Sequence, residues 1–170
     1  NGDCLDTGFL TTPYLLDSLC QIGRLDMAFM LLFQEKSPGW LNQIKAGATT
    51  IWESWEMYQP DGTPKNASFN HYAFGCVDDW MFRYIGGIDQ TGVGYKHLIF
   101  HPQPDESITW ATRSFITEHG LASCCWRREG ESFVMEISVP CNTTATVIMP
   151  DGTSKQVGSG QYVFYSSYKS

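Results

Sequence analysis

What most constrains this chain is a change of hydrophobic period across one glycine-rich stretch, Gly86 to Gly94, in which four of nine residues are glycine. Before it the spacing is helical. Thr12-Pro13 supplies a cap and a proline at the first helical position, and Leu15, Leu19 and Ile22 follow at helical intervals until Gly23. Leu25, Phe29, Leu32 and Phe33 mark a second helix that ends before Pro38-Gly39, making a helical hairpin with the first. A third helix is predicted from Ser68 or Asn70, burying Phe74, Val77, Met81 and Tyr84 and closing at Gly86-Gly87. After the stretch the period is two. Phe133, Met135, Ile137 and Val139 alternate with mostly polar residues, as in a half-buried strand. Strands are predicted over 96–100, 107–116, 121–128, 132–139, 144–149 and 161–165, separated by turns such as Pro150-Asp151-Gly152. The pattern predicts two domains of different class: helices over residues 1–87 and a small antiparallel β-sandwich over residues 88–170.

Composition narrows the partners. Eighteen acidic residues against eleven basic give a formal charge of −7, which disfavours a nucleic-acid backbone as partner. The longest apolar run, Met27 to Phe33, is far short of the ~20 residues that cross a bilayer, so no membrane partner is expected. The chain begins at Asn1, which leaves a cytoplasmic and a secreted destination both open. The six cysteines (Cys4, Cys20, Cys76, Cys124, Cys125 and Cys141) form no C-x-x-C pair and no metal knuckle. Cys20, Cys76 and Cys125 lie among apolar neighbours and read as buried small hydrophobes. His97 and His101 are four apart in a strand-like segment, where a solvated face is favoured over a metal site. No cofactor fingerprint is present, and no metal is expected. Asn66-Ala67-Ser68 and Asn142-Thr143-Thr144 match the short glycosylation tripeptide.

Chemistry concentrates in the helical part, which holds fourteen of the 24 aromatic residues. In Thr49-Thr50-Ile51-Trp52-Glu53-Ser54-Trp55-Glu56-Met57-Tyr58 three rings bracket two carboxylates. Sugars present C–H faces that stack on rings and hydroxyls that bond to carboxylates, so this composition suits a carbohydrate subsite. Poor solvation among rings is also a common route by which catalytic carboxyl groups are tuned. The same residues have a plainer reading: Thr50-x-x-Glu53 is a capping box, with Trp52 and Trp55 as core. A second cluster, Ser68-Phe69-Asn70-His71-Tyr72-Ala73-Phe74-Gly75, places Asn70 and His71 near a helix start. There His71 either bonds a substrate hydroxyl or is satisfied by the backbone. Asp78 and Asp79, adjacent on a helix, point different ways and do not form a catalytic pair.

Taken together, the Gly47–Trp55 and Ser68–Gly75 blocks resemble bacterial α-L-rhamnosidases. So do Thr7-Gly8-Phe9-Leu10-Thr11-Thr12-Pro13-Tyr14-Leu15-Leu16 and Trp40-Leu41-Asn42-Gln43-Ile44-Lys45. Downstream, His101-Pro102-Gln103-Pro104 and Pro140-Cys141-Asn142-Thr143-Thr144-Ala145 are similar to that family's C-terminal β-sandwich. The resemblance implies an (α/α)6 barrel followed by a small sandwich, of which 170 residues supply only about the last three helices. It implies an inverting hydrolase that removes terminal α-L-rhamnose from glycosides or polysaccharides. An inverting enzyme needs one acid and one base, roughly 6.5–9.5 Å apart. By resemblance Glu53 is the base, His71 and Asn70 contact the sugar, and Trp52 and Trp55 wall the pocket. Ser54 departs from the block, since many relatives carry arginine there, which removes a cation near Glu53. The general acid has no counterpart here; Asp3, Asp6 and Asp17 match other parts of the pattern. It belongs to the missing N-terminal part of the same enzyme, so the isolated chain is expected to be inactive. A barrel remnant should also expose apolar surface. The competing reading is a non-catalytic carbohydrate-binding or structural β-sandwich module carrying a helical remnant.

Overall fold

The computed structural model describes residues 5–168, so Asp3 and Cys4 lie outside the described residues. It divides into two compact units, Asn1–Asp78 and Asp79–Ser170.

The first unit is built on a short helical hairpin. Helix α1 (Thr12–Gln21) starts with Pro13 in its first turn, where the missing N–H costs nothing. It stops at Gly23, whose φ of 76° suits the left-handed position of a Schellman end. The Arg24 and Gly23 amides there bond the Leu19 and Cys20 carbonyls at 2.8 and 3.0 Å. Helix α2 (Leu25–Leu32) follows at once and packs against α1, burying Ala28, Phe29, Leu31 and Leu32. Leu16 and Thr12 form the buried face of α1, while Ile22, expected inside, is exposed. Helix α3 (Trp40–Lys45) is too short to leave a periodic signal, yet it carries the buried Trp40 and Gln43. Leu10, Tyr14, Ile22 and Tyr72 are apolar or aromatic side chains left in the open.

The third predicted helix begins later than its spacing suggests. Residues 68–71 are taken up by hydrogen bonds to residues 50–53, so helical structure starts only at Ala73. A 3-10 turn (Ala73–Cys76) leads into α4 (Val77–Trp80) and then into a π-helical turn (Met81–Ile85). These changes of pitch rotate the inward face. Trp80 takes the interior position, and Met81 is exposed. Asp79 points out to Arg83, four residues on, at 2.7 Å.

The second unit is a sandwich of two four-stranded sheets. Its strands are β1 (Ile88–Thr91), β2 (His97–Phe100), β3 (Trp110–Thr117), β4 (Gly120–Glu129), β5 (Ser132–Val139), β6 (Thr144–Ile148), β7 (Ser154–Val157) and β8 (Gly160–Ser167). One sheet has the order β1-β2-β6-β7 and the other β3-β4-β5-β8. Every pairing is antiparallel except β2 with β6, which run parallel. The unpredicted strands β1 and β7 are four-residue edges, mostly polar, whose apolar contribution is a single buried residue each. Inward side chains of both sheets interdigitate around Leu98, Phe100, Trp126, Phe133, Met135 and Val147. Alternation on β4 sends Cys124 into this core and Cys125 to the other face. Cys125 is therefore only partly buried, as are Cys20 and Cys76 on their helical turns, contrary to expectation, and Cys124 is the buried thiol among the described residues, its ionisation pushed up by desolvation.

The glycine-rich stretch is a structured entry to the sandwich. Trp126 donates its indole N–H to the Ile85 carbonyl at 2.7 Å, and the Gln103 amide bonds the Tyr84 carbonyl at 2.8 Å. Gly87 sits at φ 73° with its α-carbon against Pro102, where an added β-carbon would lie 2.7 Å from the proline nitrogen. Gly92 has a similar φ, 80°, but open space around it. A side chain at Gly87 meets both backbone strain and a rigid ring, whereas one at Gly92 meets strain alone. We therefore expect Gly87→Ala to lower the unfolding free energy of this unit by about 2–3 kcal/mol and Gly92→Ala by about 1. Urea titration of both variants checks this, and equal losses would contradict it.

His101, just beyond β2, is half-buried, and burial pushes its imidazole below the ordinary histidine value. A group with a lower folded than unfolded value binds its proton more readily in the unfolded chain. The stability it contributes is therefore complete above about pH 6.5 and is lost as pH falls through the lower folded value. His101→Gln should flatten the fall in stability between about pH 7.5 and 5, measured as urea midpoints. An unchanged slope would remove His101 from the account.

Candidate functional site

Within the first unit the two singled-out blocks lie side by side. The Glu53 amide bonds the Ser68 carbonyl at 2.9 Å, and the His71 amide bonds the Ile51 carbonyl at 2.8 Å. The Ser68 amide in turn donates to Glu53 Oε2 at 2.5 Å, and Thr50 Oγ1 donates to the Phe69 carbonyl at 2.5 Å. Residues 50–53 and 68–71 are thus zipped together across fifteen to twenty positions of sequence. No helix starts at Thr50, so the capping-box reading fails: the Glu53 carboxylate bonds forward to Ser68 and not back to Thr50.

The carboxylate is held by one oxygen. Oε2 is fixed by the Ser68 N–H, while Oε1 accepts no hydrogen bond from the described residues. Glu53 also has no ion-pair partner among them. The cation lacking at Ser54 is not replaced by another, since Lys65 pairs with Glu56 at 3.5 Å. Ser54 contributes its carbonyl instead, to the buried Gln43.

Gln43, 2% exposed, underpins the whole segment. Its Nε2 donates to the Ser54 carbonyl at 3.2 Å, and its Oε1 accepts from the Trp52 amide at 3.4 Å. One side chain thereby satisfies backbone groups on either side of Glu53, in a stretch with no helix or strand of its own. Spacing gave no sign of this role. Gln43→Ala strands a buried amide and a part-buried carbonyl, so we expect a loss of about 1–3 kcal/mol in urea titrations. A loss under about 0.5 kcal/mol, typical of surface changes, would show that water replaces it.

Rings complete the surroundings. Trp52 is 4% exposed and meets Phe69 and Tyr58 edge-on at 5.4 and 5.8 Å. Trp55 stacks on Phe74 at 3.8 Å, crosses Trp40 at 5.2 Å and donates its indole N–H to the Thr7 carbonyl at 3.0 Å. Trp52 and Trp55 line a cavity of about 340 Å³ together with Glu56, Tyr58 and Lys65. His71 lies between two nearly parallel rings, Phe9 at 4.9 Å and Tyr72 at 5.1 Å; Tyr72 is 88% exposed. Its Nδ1 faces the Ala73 amide at 3.2 Å as acceptor, so the neutral ring carries its proton on Nε2. Asn70 is exposed, and its backbone N–H and C=O are both bonded to the Ser68 hydroxyl, which leaves the side-chain carboxamide outside that turn. Phe9 is the neighbour that spacing did not bring forward, because it reaches His71 and Phe74 only through long-range contact.

The other histidine expected in a strand is occupied elsewhere. His97 on β2 spends both ring nitrogens on the Thr144 and Thr146 hydroxyls at 2.7 and 2.8 Å. Among the described residues no group of three or more potential metal ligands occurs, and no helix is long and apolar enough to cross a membrane.

The order of the two units, helices and then a β-sandwich, matches the end of a six-hairpin glycosidase. Residues 1–85 match the family model for the bacterial alpha-L-rhamnosidase 6 hairpin glycosidase domain, and residues 87–164 that for the bacterial alpha-L-rhamnosidase C-terminal domain. The chain belongs to the bacterial α-L-rhamnosidase family. An alpha-L-rhamnosidase of Streptomyces avermitilis is 44% identical over 149 residues, 86% of this chain and 14% of that enzyme. One from Formosa agariphila is 38% identical over 156 residues, 90% of this chain and 17% of its own length. The crystal structure of the Streptomyces avermitilis alpha-L-rhamnosidase complexed with L-rhamnose superposes with a TM-score of 0.93 at 38% identity, covering 97% of this chain and 18% of that one. The chain thus spans about a sixth of the length of the relatives it matches.

Proposed function

We propose that this chain is the closing part of an inverting α-L-rhamnosidase, with residues 1–87 finishing the catalytic barrel and residues 88–170 forming its C-terminal β-sandwich domain. Its substrates are glycosides or polysaccharides that end in α-L-rhamnose. The observation that carries the reading is the zipped pair of segments, which holds Glu53 by one oxygen, leaves Oε1 without a bond from the described residues, and ties the His71 backbone to Ile51.

In this reading Glu53 Oε1 accepts a proton from a water molecule as that water attacks the anomeric carbon. The glycosidic C–O bond breaks on the opposite side, and the departing oxygen takes a proton from a carboxylic acid outside these 170 residues. The Ser68 N–H keeps the carboxylate aimed, so little reorientation is needed at the moment of reaction. His71 donates from Nε2 to a sugar hydroxyl, with Phe9 and Tyr72 fixing the plane of its ring. Asn70 adds a second polar contact, and Trp52 and Trp55 form the stiff aromatic backing.

In the complete enzyme, Glu53→Gln should lower kcat by about 10²–10⁴-fold and leave substrate binding within about twofold. Near-normal turnover would overturn the base assignment. Proton NMR of the first-formed product should show β-L-rhamnose, and the α anomer would overturn inversion. Rapid hydrolysis of a rhamnoside by these 170 residues alone would show that the acid lies within them after all.

A further inference from the structure

The two hydrogen bonds of the Gln43 side chain fall one residue before and one residue after Glu53. Its Oε1 accepts from the Trp52 amide, and its Nε2 donates to the Ser54 carbonyl. The Glu53 amide itself goes to the Ser68 carbonyl at 2.9 Å. Three consecutive residues are thus fixed in place, with Glu53 as the middle one. Such a bracket needs one acceptor and one donor on a single planar group, which a primary amide offers and an ionised carboxylate or a hydrocarbon does not. The bracket is itself anchored. Gln43 lies on α3, where the Trp40 indole N–H bonds the Phe74 carbonyl at 2.9 Å, and the Gln43 carbonyl accepts from the Ala48 amide at 3.0 Å. The carboxylate end of Glu53 has a single contact among the described residues, the Ser68 N–H on Oε2. The direction in which Oε1 points is therefore set chiefly by where the Glu53 backbone stands.

We propose that Gln43 is a positioning residue for the reaction: by bracketing Glu53 it holds the backbone from which the open carboxylate oxygen is aimed at the attacking water. This role rests on that of Glu53 as base, proposed above. Gln43 is buried and both of its described partners are backbone groups, so it acts through Glu53 and not on the sugar. Its loss should slow the chemical step and spare ground-state binding, since misplacing a reacting group by about 1 Å costs about 10²-fold in rate. A side chain that only filled space could be exchanged for methionine, of similar length and volume, with no effect on turnover.

Kinetics of the complete enzyme carrying Gln43→Met, Glu53→Gln and both together test this. Gln43→Met removes both bonds and keeps the bulk, so kcat is expected to fall about 10–10²-fold with KM within about twofold. In the Glu53→Gln background the same substitution should cost less than about twofold, because no base is left to aim. Leu32→Val, a buried change elsewhere in the helical unit, reports the effect of lost stability alone and should leave kcat unchanged. Gln43→Glu supplies a rescue: a neutral carboxyl accepts and donates as the amide does, whereas an ionised one faces the Ser54 carbonyl with no proton to give. Burial favours the neutral form, so kcat of this variant should approach wild type near about pH 5 and fall about tenfold below it by about pH 8. Near-normal turnover of Glu53→Gln would overturn the base assignment and this role with it. With Glu53→Gln crippled, three results would overturn the role of Gln43 alone: wild-type kcat in Gln43→Met, an equal loss in both backgrounds, or a loss confined to KM. Should Gln43→Met fail to fold, Gln43→Glu decides, and a kcat ratio to wild type that does not change with pH would overturn the proposal.

Discussion

Residues 51–54 carry a tryptophan into the interior of the helical unit without helix or sheet to satisfy their backbone, and much of the unit answers that demand. Buried amides and carbonyls without partners each cost about 1–3 kcal/mol. Gln43 meets two of them from one side, and the segment 68–71 meets others from the other. Glu53 sits where these two supports converge. The carboxylate is therefore placed by backbone bonding around it, with only one contact made by the carboxylate itself. The long-range ties also explain why rings from the Thr7–Leu16 block reach the cluster. Phe9 lies on His71, and the Thr7 carbonyl takes the Trp55 indole proton.

The sandwich solves a different problem with the same economy. Its core is continuous from Phe100 to Trp126 and Phe133, and the indole of Trp126 also caps the chain that enters from the helical turn at Ile85. Gly86 and Gly87 let that turn close against Phe82 and Pro102 with no side chain between. Two turns in the chain use the same tetrapeptide for the same reason. In Pro60-Asp61-Gly62-Thr63 and Pro150-Asp151-Gly152-Thr153 the aspartate Oδ1 accepts from the threonine amide and hydroxyl, and the glycine takes φ near 82°. Identical local chemistry gives identical turns in an irregular loop and in a β-hairpin.

Periodicity revealed the elements long enough to repeat. The first two helices, the six predicted strands and the change of class between the two parts all follow from apolar spacing in the sequence. Helix α3 and the edge strands β1 and β7 left no trace, because four to six residues do not complete a pattern. The third helix was misplaced at its start for a physical reason: residues 68–71 had a better offer of hydrogen bonds from residues 50–53 than from each other. The site was legible as two blocks of residue types, and their resemblance to a known family joined them. Their contact was not legible, since it rests on bonds between residues 50–53 and 68–71, whose partners lie fifteen to twenty positions away in sequence. The same blindness produced the capping-box alternative, which is locally sound and fails only because the chain there is never helical.

The single parallel pairing in the sandwich has a consequence for how the domain assembles. Strands β3, β4 and β5 are a meander of adjacent hairpins, so each pairing needs only a short loop. Strand β6 meets β2 only across the whole meander, since their register joins His97 to Thr144. The β3-β4-β5 meander is thus a local structure, whereas the β2-β6 and β5-β8 pairings are each closed by contacts of longer sequence separation. In evolutionary terms β3–β5 behaves as an excursion between two neighbouring strands. Its hairpin loops can lengthen or shorten while β2 and β6 keep their register.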